Sequence, residues 1–284
     1  MRDLISYGLI DRAKSLLQQF PADAPAPFLA TLSNRIEAGE RLLRKVLPAV
    51  VTRHDERLGR QLEGIMILPS KAPTASALLV FGGHAAWDFT FADAVLTLRD
   101  RHIIFIKDHS RRFSLCALPR LGPDLKTNLH QLTLLLAALK VDSLFCLGES
   151  AGGFPALKFG LELKAKGVLV TGSPISLNVD EEEGADLDKY PVLRPLYQTD
   201  RSLASNVADE YAKRGTYPRF IMVYGDANER DARFAQLAVG LPGAKLLPLA
   251  NETGHATLPL RAVHRLLPEF LNELFSLQPY TGPA

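Results

Sequence analysis

Val141-Asp142-Ser143-Leu144-Phe145-Cys146-Leu147-Gly148-Glu149-Ser150-Ala151-Gly152-Gly153 is the stretch on which the reading of the chain turns. The apolar run Leu144 to Leu147 predicts a short buried strand, and it leads directly into the pattern G-x-S-x-G from Gly148 to Gly152. A helix-compatible run, FPALKFGLELKAKG, begins just after Gly153, with Pro155 in the first turn, where proline is tolerated. Strand, serine turn and helix in that order form a nucleophile elbow. In so tight a turn the incoming strand and outgoing helix nearly touch, so a side chain at Gly148 or Gly152 would collide. The serine itself is expected in a strained backbone conformation that projects its hydroxyl away from the sheet. Ser150 is therefore the candidate nucleophile; the plainer reading is a small helix-capping serine.

Composition leaves room for such a core. Of 284 residues, 47% are hydrophobic and 23% charged, which suits one large α/β domain with additions and not a disordered chain. The formal net charge of +2 is too small to argue for nucleic acid, and no basic block with interleaved aromatics occurs. Cys116 and Cys146 are the only cysteines, too few for a disulfide framework or a thiolate zinc site. No apolar run is long enough to span a membrane. The start, MRDLISYGLIDRAK, is amphipathic and charged and has no signal-peptide core. A reducing cytoplasm is the expected location. No histidine and carboxylate set has metal-ligand spacing, and Gly148 to Gly153 lacks the Lys-Ser/Thr pair of a phosphate loop. No cofactor and no metal are expected.

Outward from the elbow, strand and helix patterns alternate. Candidate strands are 65–68, 77–81, 102–106, 167–171, 219–224 and 244–249; candidate helices are 123–139, 231–239 and 257–275. Several strands are wholly apolar, as expected when both sheet faces are covered. The alternation predicts a mostly parallel central sheet with helices on both faces. Residues 1–60 carry two apolar-periodic segments and predict a helical hairpin ahead of a 61–284 domain, with an irregular insertion at about 174–218.

A serine hydroxyl must lose its proton as it attacks, so it needs a base within reach and an acid to orient that base. His255 lies in the loop between the last strand and last helix, on the sheet edge where the Ser150 turn emerges. His54, His102, His130 and His264 fall in a charge cluster, at a strand's far end or within helices. The acid should follow the 219–224 strand, within Gly225-Asp226-Ala227-Asn228-Glu229-Arg230-Asp231. Asp226, just off the strand, is the first choice, with Asp231 the rival and Glu229 or the amide of Asn228 behind them. Asp231 reads equally as a helix N-cap. The oxyanion of a tetrahedral intermediate needs preorganised N–H donors. Ala151, next to the nucleophile, and Gly83, in the Gly82-Gly83-His84 turn, are the candidates. A glycine turn leaving a buried strand is the plainer reading of the second.

From roughly Leu62 to the C-terminus the chain resembles the α/β-hydrolase superfamily. The resemblance rests on GESAGG around Ser150, the FGG turn, the strand-then-Asp226 segment and Gly254-His255. It implies an eight-stranded type of sheet, a Ser-His-acid triad and a lid, here 174–218. The chain departs from many members at Phe81-Gly82, where they carry His-Gly, and at Asn228, where they carry the acid. LGESAGGFPALKFG and the YG…D…FA segment are also similar to serine-esterase-like proteins encoded with bacterial capsule and glycan export systems.

The expected activity is a serine esterase that cleaves a small-molecule or glycan ester through an acyl-Ser150 intermediate. Acyl transfer to a glycan hydroxyl is one alternative. The other is a non-catalytic, hydrolase-shaped scaffold that docks a protein through its N-terminal helices, a reading prompted by Asn228.

Overall fold

The structure is a computed structural model that describes residues 14–15, 17–21, 24–30, 33–34, 36–37, 65–70, 73–83, 95, 98, 100–108, 110, 112–119, 121–178, 195, 205–255 and 260–282. Of the expected N-terminal hairpin, the described pieces of 14–18 and 26–37 are helical. Its remainder apart from residues 19–21 and 24–25, His54, His84 and most of the 174–218 insertion lie outside the described residues.

The strands in chain order are β1 (Ile65–Leu68), β2 (Ser76–Phe81), β3 (His102–Ile106), β4 (Cys116–Leu118), β5 (Gly122–Asp124), β6 (Ser143–Glu149), β7 (Gly167–Thr171), β8 (Thr216–Tyr217), β9 (Arg219–Gly225), β10 (Ala244–Leu249) and β11 (Tyr280–Thr281). The helices whose bounds fall among the described residues are α1 (Leu125–Ala138), α2 (Gly153–Glu162), α3 (Val207–Ala212), α4 (Glu229–Gln236) and α5 (Leu260–Ser276). Seven strands form the main sheet in the order β1-β3-β2-β6-β7-β9-β10. Only β1 is antiparallel to its neighbour. The mostly parallel sheet expected from the alternation is present, with seven strands among the described residues where the resemblance implied eight.

Strand alternation divides the core in two. Leu78 and Val80 of β2, Phe145 and Leu147 of β6, Leu169 of β7, and Ile221 and Val223 of β9 share one face. Leu79 and Phe81, Cys146, Val168 and Val170, and Phe220 and Met222 share the other. Slipping any strand by one residue would exchange its two faces, so burial on both sides fixes the register. Leu267, Leu271 and Leu274 of α5, spaced for one helical face, cover the first cluster. Phe154, Ala156, Leu157, Phe159 and Leu161 of α2 cover the second. Fully burying each of these large side chains is worth roughly 2 kcal/mol.

The strand order places β2 between β3 and β6. The chain runs from β2 to one side and returns on the other, and a crevice opens at the carboxyl ends of strands at such a switch point. The loops after β2 and β6, Gly82-Gly83 and Ser150-Ala151, flank it.

Local capping moves several boundaries from their sequence positions. Asp124 accepts from Thr127 N–H at 2.7 Å, so α1 starts at Leu125, and the residues before it pair with β4 in a small hairpin. Asn228 accepts from Asp231 N–H at 3.0 Å, so α4 starts at Glu229 and not at Asp231. The expected irregular insertion contains α3, capped by Asn206 through Ala208 N–H, and β8, which pairs with β11.

Candidate active site

Ser150 sits at the carboxyl end of β6, in a short 3₁₀ turn that runs into α2. Its φ is +51°, a left-handed conformation that costs a non-glycine residue on the order of 1 kcal/mol or more. The turn is as crowded as its sequence implies. A Cβ on Gly148 would lie 2.6 Å from the carbonyl carbon of Gly152 and 2.7 Å from Gly153 Cα. One on Gly152 would lie 2.5 Å from Phe81 O. These neighbours are backbone and cannot rotate away.

Ser150 Oγ lies 3.1 Å from His255 Nε2, across a sequence separation of 105 residues. On the other side of the ring, His255 Nδ1 is 2.7 Å from Asp231 Oδ1. A carboxylate oxygen accepts, so Nδ1 carries the proton and donates, which leaves the Nε2 lone pair facing the serine hydroxyl. The Asp231 side chain is 1% exposed and the His255 side chain 33% exposed. The carboxylate is thus sealed under the ring, while the ring itself stays partly exposed. Asp231 Oδ2 is also buried, with no donor to it among the described residues.

Asp226, the first choice of acid from the sequence, does not reach the ring. Its Oδ1 accepts from Asn251 N–H at 2.7 Å, and its own N–H donates to Leu249 O at 3.2 Å. The reason is its place in the turn directly off β9, where the nearest donor is the backbone of the loop after β10. Asp231 stands three residues into the capped helix, and the helix aims it inward. Glu229 is exposed at the start of α4. Asn228 serves as the N-cap, and its Nδ2 also donates to Thr253 O at 3.0 Å. That double use was missed from sequence. The spacing Asn228-x-x-Asp231, a capping residue with an acid three places on, is the signal that could have found it.

Gly83 lies against Ser150: a Cβ added there would be 3.7 Å from Ser150 Cβ and 3.2 Å from Glu149 O. Gly82 N–H is spent on Ile106 O at 3.2 Å. Ala151 is buried directly after Ser150. Gly83 N–H meets no backbone acceptor among the described residues. The remaining described histidines stand elsewhere. His102 Nδ1 accepts from Ser70 N–H at 3.2 Å at the start of β3, and His130 is on α1. Among the described residues no group of three or more His, Cys, Asp or Glu is placed to hold a metal, and no helix is long and apolar enough to cross a membrane.

No protein-family model matches the chain, and no curated protein matches it in sequence. Solved structures do match. MenH from S. aureus aligns over 74% of this chain and 98% of its own, at 13% identity and a TM-score of 0.53. A protein of unknown function from Staphylococcus aureus subsp. aureus aligns over 74% and 94%, at 12% identity and a TM-score of 0.51. Carboxyl esterase 2 from the mycorrhizal fungus Tuber melanosporum aligns over 74% and 80%, at 13% identity and a TM-score of 0.50. Identities this low speak to architecture alone. With the strand order, the serine turn after β6 and these likenesses together, the chain has the α/β-hydrolase fold.

Proposed function

We propose that this chain is a serine hydrolase that cleaves a carboxylic ester through an acyl-Ser150 intermediate. The observation that carries the reading is the unbroken chain Ser150 Oγ, His255 Nε2, His255 Nδ1, Asp231 Oδ1, at 3.1 Å and 2.7 Å. Three side chains distant in sequence meet there at one rim of the sheet, with the serine on a strained elbow.

In the reaction His255 Nε2 takes the hydroxyl proton as Ser150 Oγ bonds to the substrate carbonyl carbon. The carbonyl π electrons move onto oxygen, and the resulting oxyanion is held by the N–H groups of Ala151 and Gly83. When the tetrahedral species collapses, the C–O bond to the alcohol breaks and His255 returns the proton to the departing alkoxide. Water then repeats the sequence on the acyl-serine, releases the acid and restores the Ser150 hydroxyl. Asp231 accepts from Nδ1–H, holds the ring in that tautomer and stabilises the imidazolium formed in each half. The scaffold reading drew its motive from Asn228; a carboxylate on the ring at Asp231 supports the catalytic one.

A fluorophosphonate probe tests the proposal. The folded protein is expected to form a covalent adduct on the peptide carrying Ser150, and Ser150→Ala to form none. A folded wild-type protein that stays unlabelled would overturn it. Nitrophenyl esters of rising chain length, with and without a glycan acceptor, would then separate hydrolysis from acyl transfer.

A further inference from the structure

The segments that carry Asp231 and His255 are tied to each other by one side chain, that of Asn228. Asn228 is half-buried between them, and both ends of its amide are used. Oδ1 accepts from Asp231 N–H at 3.0 Å, and Nδ2 donates to Thr253 O at 3.0 Å. The two partners fix which way the amide faces, since an N–H needs the oxygen and a carbonyl needs the nitrogen. One of these bonds is to the residue that holds the acid. The other falls two residues before the ring. The backbone of Asn228 is itself anchored, with its N–H on Gly225 O at 3.2 Å. A second tie runs parallel, from Asn251 N–H to Asp226 Oδ1 at 2.7 Å.

We infer that Asn228 is the positioning residue of this site: its amide is a rigid spacer that sets the Asp231 to His255 distance by joining the start of α4 to the loop after β10. The inference rests on the reading of Ser150, His255 and Asp231 as a catalytic set, and adds what holds two of them in register. The chemistry selects asparagine. The role needs an acceptor on one side and a donor on the other of one short planar group. Aspartate supplies only the acceptor, and serine is too short to reach across. As an N-cap, however, aspartate and serine serve about as well as asparagine. Capping and strapping can therefore be separated by substitution, and in catalysis a misplacement of about 1 Å can cost on the order of 100-fold.

The test compares wild type with Asn228→Asp and Asn228→Ser in three measurements. These are the urea midpoint, the rate constant for inactivation by a fluorophosphonate, and the low-field proton NMR signal of His255 Nδ1–H. Both variants keep a capping oxygen, so both are expected to unfold near the wild-type midpoint. Both are expected to react between about 10- and 100-fold more slowly, and their Nδ1–H signal to broaden or exchange faster. Wild-type rates with an unchanged Nδ1–H signal would overturn the inference. So would rates that fall only in step with the unfolded fraction, which is what a merely structural asparagine predicts. If wild type itself takes no label, the hydrolase reading fails, and the Nδ1–H comparison still decides whether Asn228 sets the ring.

Discussion

Asp231 Oδ1 meets His255 Nδ1 at 2.7 Å from a site that water barely reaches, the carboxylate being 1% exposed and the ring 33%. A carboxylate acceptor under a partly exposed ring fixes the tautomer and leaves Nε2 to Ser150. The helix cap makes this geometry available. Because the Asn228 amide takes Asp231 N–H, the carboxylate at that position is free to turn to the histidine.

Replacing Asp231 with asparagine should therefore separate the two acids. Asp231→Asn keeps the shape but offers an N–H2 where the ring needs an acceptor, or holds the ring in the wrong tautomer. Labelling of Ser150 is expected to slow by about 10⁴-fold, the scale of such a change in a serine triad. Asp226→Asn retains an oxygen for Asn251 N–H and should react within a few-fold of wild type. Equal losses from the two substitutions would mean that the carboxylate on the ring is not the one that works.

Most of the architecture could be read from the chain because the central strands are apolar on both faces. Ala77-Leu78-Leu79-Val80-Phe81 can satisfy that pattern only inside a covered sheet, and the structure buries all five. The Ser150 turn was readable for a steric reason, since only glycine fits at 148 and 152. The acid was harder. Asp226 and Asp231 are five residues apart, and which one meets His255 depends on where α4 begins, a boundary set by one side-chain hydrogen bond from Asn228. No periodicity reports such a bond. β4 and β5, three residues each, and α3, six residues inside an expected irregular segment, are too short for a pattern to emerge.

The elbow should be intolerant of a single methyl group. In Gly148→Ala the new carbon would press on Gly152 C and Gly153 Cα, 2.6 and 2.7 Å away, and neither can move without shifting α2. A loss of about 3 kcal/mol is expected, at the upper end for overpacking. In Gly83→Ala the nearest atom, Glu149 O, is 3.2 Å away, a contact relieved by a small shift. That variant should fold with nearly wild-type stability and label roughly 10-fold more slowly, because the shift moves a proposed oxyanion donor. Urea titration and probe kinetics on both would check the contrast.

Tyr211 offers a test of the core that leaves the site alone. Its ring is fully buried, and its hydroxyl donates to Leu157 O of α2 at 3.0 Å. Burial drives its pKa well above the usual tyrosine value, so the hydroxyl stays a neutral donor throughout the working range. Tyr211→Phe keeps the ring contacts with Tyr217 and Phe220 and removes only that bond. A loss of about 1 to 2 kcal/mol is expected by urea unfolding, with Ser150 labelling unchanged. No change in stability would mean that Leu157 O gains nothing from the hydroxyl.

His102 should make the fold sensitive to mild acid. Burial lowers its pKa below the ordinary histidine value, and its Nδ1 must stay unprotonated to accept from Ser70 N–H. As the pH falls through about 6.5, the unfolded chain takes up a proton at this residue while the folded chain does not. Protons then favour the unfolded state. The contribution of His102 is complete above that pH and shrinks below it until the folded value is passed. In His102→Asn the amide oxygen takes over as acceptor near the Nδ1 position and cannot titrate. Unfolding free energies at about pH 7.5 and about pH 5 should therefore fall more steeply for wild type than for the variant. Parallel slopes would show that His102 is not held neutral in the native sheet.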